Sequence, residues 1–238
     1  MSRRAELLRP VPGGARIFQR IFTRLGCNGR PPHFVVDYYP YADLTLTIRL
    51  REETAHIRLS DLLRGVPLPV LEAAAAILLA RIYRRRVPRS LVETYRRFSY
   101  ARTTRKRLLV ARKQRARRVK EAPRGSCHDL GPLYDELNGR YFRGKLRRPR
   151  LGWSARAWRT QLGCFDPALN QIVINRQLDR PNVPPFVVAY VLYHEMLHQK
   201  YPMRYAECRL ESHSAEFRRE EKRFTHFERS KRFLERFV

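Results

Sequence analysis

The segment His194-Glu195-Met196-Leu197-His198 lies within an otherwise apolar stretch from Phe186 to Gln199. Its histidines are four positions apart, so a helix would place both imidazoles on one face, where they can bind a single ion. Glu195 lies beside them, where its carboxylate can contact a water molecule at that ion. Two buried histidines and a glutamate are costly in an apolar core unless a metal satisfies them. The motif therefore predicts a buried helix with a zinc ion at His194 and His198, and Glu195 as catalytic general base.

A catalytic zinc site needs a third protein ligand and an open position for water. The downstream candidates are Glu211, His213, Glu216, Glu220 and His226. His213 follows His198 by 15 residues, which is enough for a loop to reverse the chain, and Phe217 could anchor the next helix in the core. The glutamates lie in a charged stretch that is typical of a solvated helix face. We therefore predict His213 as the third ligand, with Glu216 or Glu220 as the alternative.

The charge of the chain indicates its partners. With 50 Lys and Arg against 22 Asp and Glu among 238 residues, the net charge is +28. This balance excludes a protein that binds cationic ligands, and it predicts contact with a polyanion such as the DNA or RNA backbone, or with an anionic membrane surface. A content of 43% hydrophobic residues argues against a largely disordered chain.

The excess of positive charge is densest over Arg96–Arg124, which holds 13 basic residues and one acidic residue, Glu121. Ion pairs within a helix cannot neutralise such a segment. It is therefore either a solvated basic helix or linker, or a nucleic-acid contact. The candidate contacts are Arg105, Lys106, Arg107, Arg112, Lys113, Arg115, Arg117 and Arg118.

Features that direct a protein to a membrane or to secretion are missing from the sequence. The longest strongly apolar stretch, Ala73–Ala80, is eight residues long, against the roughly 20 that a membrane span requires. The N-terminus has no apolar signal region. The cysteines form no CxxC pair and are typical of reduced thiols: Cys27, Cys127, Cys164 and Cys208. We predict a cytoplasmic protein, associated with the nucleoid if DNA is its partner.

Three segments are expected along the chain. Residues 1–40 are predicted to be a basic, flexible arm. Residues 41–125 contain two alternating runs, 44–50 and 55–59, which predict a β-hairpin, followed by an apolar helix over 70–83 and a basic helix from Ser90 towards Lys120. In residues 126–238 we expect a helix over 130–142, strands over 150–155, 161–165 and 170–175, the helix with the histidine pair, and a charged helix from Ser214 to the end. The fold class is therefore α+β.

Residues 126–238 resemble the SprT-like zinc metalloproteases, which include the Spartan proteases. The resemblance covers about 130–225 and rests on motifs in the family's order. These are Tyr134–Asn138 with Tyr141–Leu146, Trp153-Ser154, Leu162–Phe165, Ile172–Asn175 with Leu178, the metal motif His194–His198, and His213 with Glu216-Phe217.

The resemblance implies a zincin-like domain, a small antiparallel or mixed sheet beside the helix that carries the metal motif. The N-terminal hairpin and basic helices would precede this domain. It also implies one Zn²⁺ per chain, bound by His194, His198 and His213, and peptide-bond hydrolysis with Glu195 as the base, on a protein substrate that is associated with DNA. Substrate would dock as an added strand near Trp153 or residues 161–165. The alternative is a nucleic-acid-binding protein that has a zinc site and little or no protease activity.

Overall fold

A computed structural model of the protein describes residues 8–116, 118–119, 122–202, 204–206, 209–211 and 213–237. The chain divides into two compact units. The first contains the residues up to Ala116, and the second contains those that follow, except Arg209, which groups with the first. Each unit combines helices with a small sheet, so the predicted α+β class is confirmed.

The described residues of the first unit form a four-stranded sheet and four α-helices. In chain order its elements are β1 (Arg9–Pro10), α1 (Gly14–Arg24), β2 (His33–Tyr39), β3 (Leu46–Arg51), β4 (Thr54–Ser60), α2 (Leu68–Tyr83), α3 (Arg89–Tyr100) and α4 (Arg102–Arg115). The strand order is β1-β2-β4-β3. Strands β2 and β4 are parallel, with His33 opposite Thr54. The predicted hairpin is formed by β3 and β4, with Leu46 opposite Leu59. Along β4, Ala55, Ile57 and Leu59 point into the core, as the alternation predicts.

The prediction of a flexible arm over residues 1–40 is wrong for the described residues from 8 onward. Helix α1 buries Ile17, Phe18, Ile21 and Phe22, whose spacing places them on one helix face, in the core of the first unit. Strand β2 is paired on both sides within the sheet. The arginines and prolines that suggested an arm are the exposed positions and turns of an ordered segment. Residues 1–7 lie outside the described chain, and the first unit ends at 116 rather than 125.

The basic helix predicted from Ser90 towards Lys120 is two helices, α3 and α4. The chain is extended at Ala101, which separates them, and again at Ala116, which ends α4. Pro88 rather than Ser90 precedes the first turn of α3, and no side chain caps it.

The described residues of the second unit form four α-helices and two small sheets. Its elements are α5 (Leu130–Phe142), β5 (Arg150–Trp153), β6 (Gly163–Asp166), β7 (Gln171–Ile174), α6 (Pro185–Lys200), β8 (Arg204–Ala206), β9 (Arg209–Glu211), α7 (Ala215–Glu221) and α8 (Phe227–Phe237). The sheet β5-β7-β6 is mixed, because β5 runs parallel and β6 antiparallel to the central β7. Strands β8 and β9 form the other sheet.

Helix α6 is the centre of the second unit. It contacts α5, β6, β7, α7 and α8, and it buries residues on all sides, among them Val188, Leu192 and Leu197. The single charged helix expected from Ser214 to the end is instead α7 and α8. They are separated by a turn in which Phe224 is buried against Tyr193 of α6. Among the described helices, none is both long and apolar enough to cross a membrane.

Asp179 holds the loop that leads into α5. Its carboxylate accepts hydrogen bonds from the backbone N–H groups of Ser126 (2.6 Å), Cys127 (2.9 Å) and His128 (3.0 Å). Gly125 has no side chain at the point where the carboxylate approaches the loop. Burial by itself raises the pKa of Asp179, but the three backbone donors outweigh burial and hold the pKa below its ordinary value.

A carboxylate with a lowered pKa stabilises the fold where it is ionised, above the pKa of the unfolded chain, and this contribution is lost as the pH falls through the lower pKa of the folded protein. We therefore expect Asp179→Asn to lower Tm at pH 7 by roughly 2–4 °C. The difference in Tm should shrink as the pH falls below the ordinary pKa of 3.8 and vanish below the lower pKa of the folded protein. Thermal unfolding between pH 3 and 7 measures this difference, and a constant offset at every pH would contradict it.

Candidate metal centre

Helix α6 and the residues at the start of α7 bring three histidines together. His194 and His198 lie one turn apart on α6. Pro184 precedes this helix and Pro185 is its first residue, where the missing N–H would have no helical partner. His213 lies directly before α7, where Ser214 caps the helix by accepting a hydrogen bond from the N–H of Phe217. The ring of Phe217 is fully buried under all three imidazoles, with centroid distances of 4.6–5.1 Å. This packing fixes α7 against α6.

The three imidazoles form a nearly equilateral group. Each pair of ring centroids is 5.0 Å apart, and one nitrogen from each ring lies within 4.8 Å of the others. The Nε2 atoms of His194 and His213 face each other at 3.2 Å. Two imidazole nitrogens on a tetrahedral ion with bonds of 2.0–2.1 Å are about 3.3 Å apart. The group could therefore hold a metal ion, and the structure places His213 beside the pair as predicted.

The charge state of the rings suits a metal. Burial, together with the neighbouring His194 and His213, lowers the pKa of His198 to about 4. Burial and the proximity of His194 also lower the pKa of His213. Both rings are therefore neutral at neutral pH, and a neutral imidazole has the lone pair that a metal ion requires.

Glu221 orients the first histidine, and the sequence analysis missed it. Its Oε1 lies 2.7 Å from Nδ1 of His194 and accepts a hydrogen bond of 2.9 Å from the hydroxyl of Tyr190. A carboxylate at Nδ1 leaves Nε2 directed at the metal position and makes it a better ligand. The signal was present in the sequence, because Glu221 follows the core residue Phe217 by one helical turn and so lies on the same face.

This role makes a quantitative prediction. Glu221→Ala should lower the affinity for Zn²⁺, used as a probe ion, by about 10–100-fold, since a ligand loses its orienting partner. Glu220→Ala is the matched control, because the neighbouring carboxylate pairs with Lys200 and Arg223 and not with a histidine. Titration against a zinc-binding dye measures both. Equal affinities for the two variants would contradict the role of Glu221.

Glu195 is held between α6 and the edge strand β6. Its side chain is almost completely buried, and a Cβ atom at Gly163 would lie 2.6 Å from its Oε1. Only glycine therefore allows β6 to approach this carboxylate so closely. Burial raises the pKa of Glu195 to about 7, against the opposing effects of His194 and the backbone N–H of Phe165. Such a carboxylate can both take up and release a proton near neutral pH.

The histidines and Glu195 lie in the wall of a largely apolar cleft of about 690 Å³. The edge strand β6 and the residues before it form one side. Helix α8 contributes Lys231, Leu234 and Glu235. Of the two docking regions expected from the sequence, residues 161–165 line the cleft, whereas Trp153 does not and donates its indole N–H to the carbonyl of Pro123.

The other candidate ligands lie elsewhere. Glu220 is bound to Lys200 and Arg223, and Glu216 is exposed on α7. The ring of His226 packs against Phe186, 5.2 Å between centroids. The side chain of Glu211 lies outside the described part of the structure.

The predicted nucleic-acid contacts are not equivalent. Lys106, Arg107 and Lys113 are exposed on α4. In contrast, Arg112 pairs with Asp43 at 2.6 Å and Arg115 pairs with Asp61 at 2.8 Å, so both are engaged within their own unit. Arg105 is half-buried, and burial lowers its pKa. Arg118 is exposed after the end of α4, and Arg117 lies outside the described residues.

Comparison of the chain with protein-family models, with curated proteins and with solved structures finds no match.

Proposed function

We propose that the protein is a zinc-dependent metallopeptidase with a zincin-like second unit. The observation that carries the proposal is the arrangement of three grouped imidazoles and one buried glutamate in the wall of an open cleft. A purely structural zinc site has four protein ligands and needs no carboxylate beside the ion. Three histidine ligands leave a position on the ion for water. Glu195 follows His194 in the sequence and lines the same cleft as the three histidines.

Each residue has a defined role in peptide hydrolysis. When bound, the zinc ion polarises the scissile carbonyl and makes a water molecule more acidic. Glu195 accepts the proton of that water and later transfers it to the leaving amine. Glu221 keeps Nδ1 of His194 engaged, so that Nε2 faces the ion. Strand β6 is the open edge of its sheet, where an extended peptide can add as a further strand beside Glu195.

A degradation assay tests the proposal. The full chain, with its zinc content measured, is incubated with an unfolded protein such as casein, with and without DNA. We expect cleavage that a zinc chelator abolishes and added Zn²⁺ restores. Zinc-loaded protein that cleaves neither free nor DNA-bound protein would instead favour the alternative, a nucleic-acid-binding protein with a zinc site.

The net charge of +28 supports a second part of the proposal, contact with a nucleic-acid backbone. Within the first unit, α4 presents Lys106, Arg107 and Lys113 to solvent, whereas Arg112 is engaged by Asp43 and Arg115 by Asp61. Phosphate contacts of this kind are insensitive to sequence and release counterions. If four to six phosphates are engaged, the log–log slope of affinity against salt is about −4 to −5 on duplex DNA.

The triple substitution Lys106→Glu, Arg107→Glu and Lys113→Glu should reduce the magnitude of this slope by about 2 to 3. The matched control reverses three exposed residues of the second unit, Arg143, Lys145 and Arg180. Fluorescence anisotropy with a duplex at several salt concentrations gives both slopes. Equal slopes for the wild type and the α4 variant would show that α4 does not contact the phosphates.

A further inference from the structure

A second cavity of the second unit lies between the start of α6 and the outer face of α8. Its volume is about 540 Å³. It is lined by three arginines and three phenylalanines: Phe186, Arg229, Arg232, Phe233, Arg236 and Phe237. We call this cavity the Arg–Phe groove. It shares no lining residue with the cleft that contains the three histidines and Glu195, which we call the metal cleft.

We propose that the Arg–Phe groove binds a short segment of single-stranded nucleic acid. Its phosphates would pair with the arginines, and its bases would stack on the phenylalanine rings. This site is separate from the basic surface of α4, and it does not depend on the proposed peptidase activity.

The charge of the groove is uncompensated. Arg229, Arg232 and Arg236 are exposed, and none forms an ion pair with another residue in the described ranges. Neither acidic residue of α8 lines the groove, and Glu235 lines the metal cleft instead. Three guanidinium groups without a carboxylate attract phosphates, to which arginine can donate two parallel hydrogen bonds.

The arginines have a useful spacing. They follow one another at i, i+3 and i+7, which places them along one helix face over about 10 Å. This length matches the rise of about three stacked nucleotides at 3.4 Å each. A single groove of this size therefore accommodates about three nucleotides.

The aromatic rings supply the second half of the recognition. Phe233 and Phe237 lie nearly parallel, with centroids 5.8 Å apart and planes 26° from each other. Arg229 lies over the ring of Phe186, with its guanidinium carbon 4.9 Å from the centroid. Aromatic faces beside cationic groups are typical of sites for unpaired bases, because every base has a flat face and a neighbouring phosphate.

A membrane surface fits the groove less well. The phenylalanines are half-buried and lie among the arginines, and none is among the strongly exposed large apolar side chains of the described chain, which are Leu50, Leu68, Ile82, Leu109 and Val110. An interfacial helix would instead project its apolar residues outward. A duplex also fits less well, because its bases are already stacked.

The test compares the affinity of the full chain for oligothymidylate of 12 nucleotides and for a 12-base-pair duplex. Phe233→Leu with Phe237→Leu keeps apolar volume against the core but removes both rings. We expect single-strand affinity to fall about fivefold or more, since stacking contributes 1–3 kcal/mol per base. Duplex affinity should stay within about twofold. Phe227→Leu, on the other face of the same helix, is the control and should change neither.

Arg232→Gln with Arg236→Gln should also weaken single-strand binding and reduce its salt slope by about 1.4. Arg219→Gln with Lys222→Gln, on and after α7, is the charge-matched control. Unchanged single-strand affinity in the two groove variants, or an equal loss for the duplex, overturns the proposal. So does binding to phosphatidylserine vesicles that the groove substitutions abolish while single-strand binding persists, because the occupant would then be a membrane surface.

Discussion

Glu195→Gln is expected to abolish turnover while leaving the metal in place. The amide keeps the size of the side chain but cannot accept a proton, so hydrolysis should fall by about 10²–10⁴-fold. Glu195 is not among the three grouped ligands, and zinc content should therefore equal that of the wild type. Peptide cleavage and metal analysis on the same preparation measure both quantities.

The variant also offers a control for folding. Because burial raises the pKa of Glu195 to about 7, the ionised form is disfavoured in the folded protein. The contribution of the Glu195 side chain to the free energy of unfolding is therefore most favourable below the ordinary pKa of a carboxyl group and is lost as the pH rises through 7. A neutral glutamine at this position should not lower Tm at pH 8. A fully active variant would show that Glu195 is not the base. Glu220→Gln, a neighbouring carboxylate on α7, should retain activity.

His213→Ala is expected to release the metal. Two imidazoles and water cannot form a tight site, so zinc affinity should fall by more than about 100-fold, the upper range for the loss of an orienting partner alone. The side chain of Phe217 still holds α7 against α6, and the unit should stay folded. Competitive titration with a zinc chelator measures the change.

His226→Ala is the matched control for this experiment, since that ring packs against Phe186 away from the site. We expect it to retain full zinc affinity. If His213→Ala retained zinc instead, the third ligand would have to be Glu216 or Glu220, and α7 would have to rotate to present it.

Much of the second unit could be predicted because its signals are local. The spacing of His194 and His198 places them on one helix face in any helical context. The helix over 130–142, the strand order along the chain and the prolines that begin α6 likewise follow from neighbouring residues. Where local signals conflict with packing, the predictions were wrong. Residues 8–40 have the composition of an arm, but the apolar face of α1 is buried in a core whose other residues lie far along the sequence.

Among the sequence patterns, the distribution of charged residues was the poorest guide to which side chains are exposed in the folded protein. Arg112 and Arg115 belong to the same basic run as Lys106, but Asp43 and Asp61 neutralise them from 69 and 54 residues away. No count over a segment can separate an exposed arginine from one that a distant carboxylate engages. The Arg–Phe groove was missed for the same reason, because Phe186 and Arg229 become neighbours only when α6 and α8 pack together.

The residue types and helical spacing of His194 and His198 could be read from the sequence, because they depend on short-range geometry, and His213 was the downstream candidate that a reversing loop could reach. The orientation of His194 by Glu221, the approach of β6 to Glu195 at Gly163, and the exposure of individual arginines became visible in the folded unit alone. Each of these depends on contacts between segments distant in sequence. Such contacts form through packing of the whole unit, and a local pattern carries no record of them.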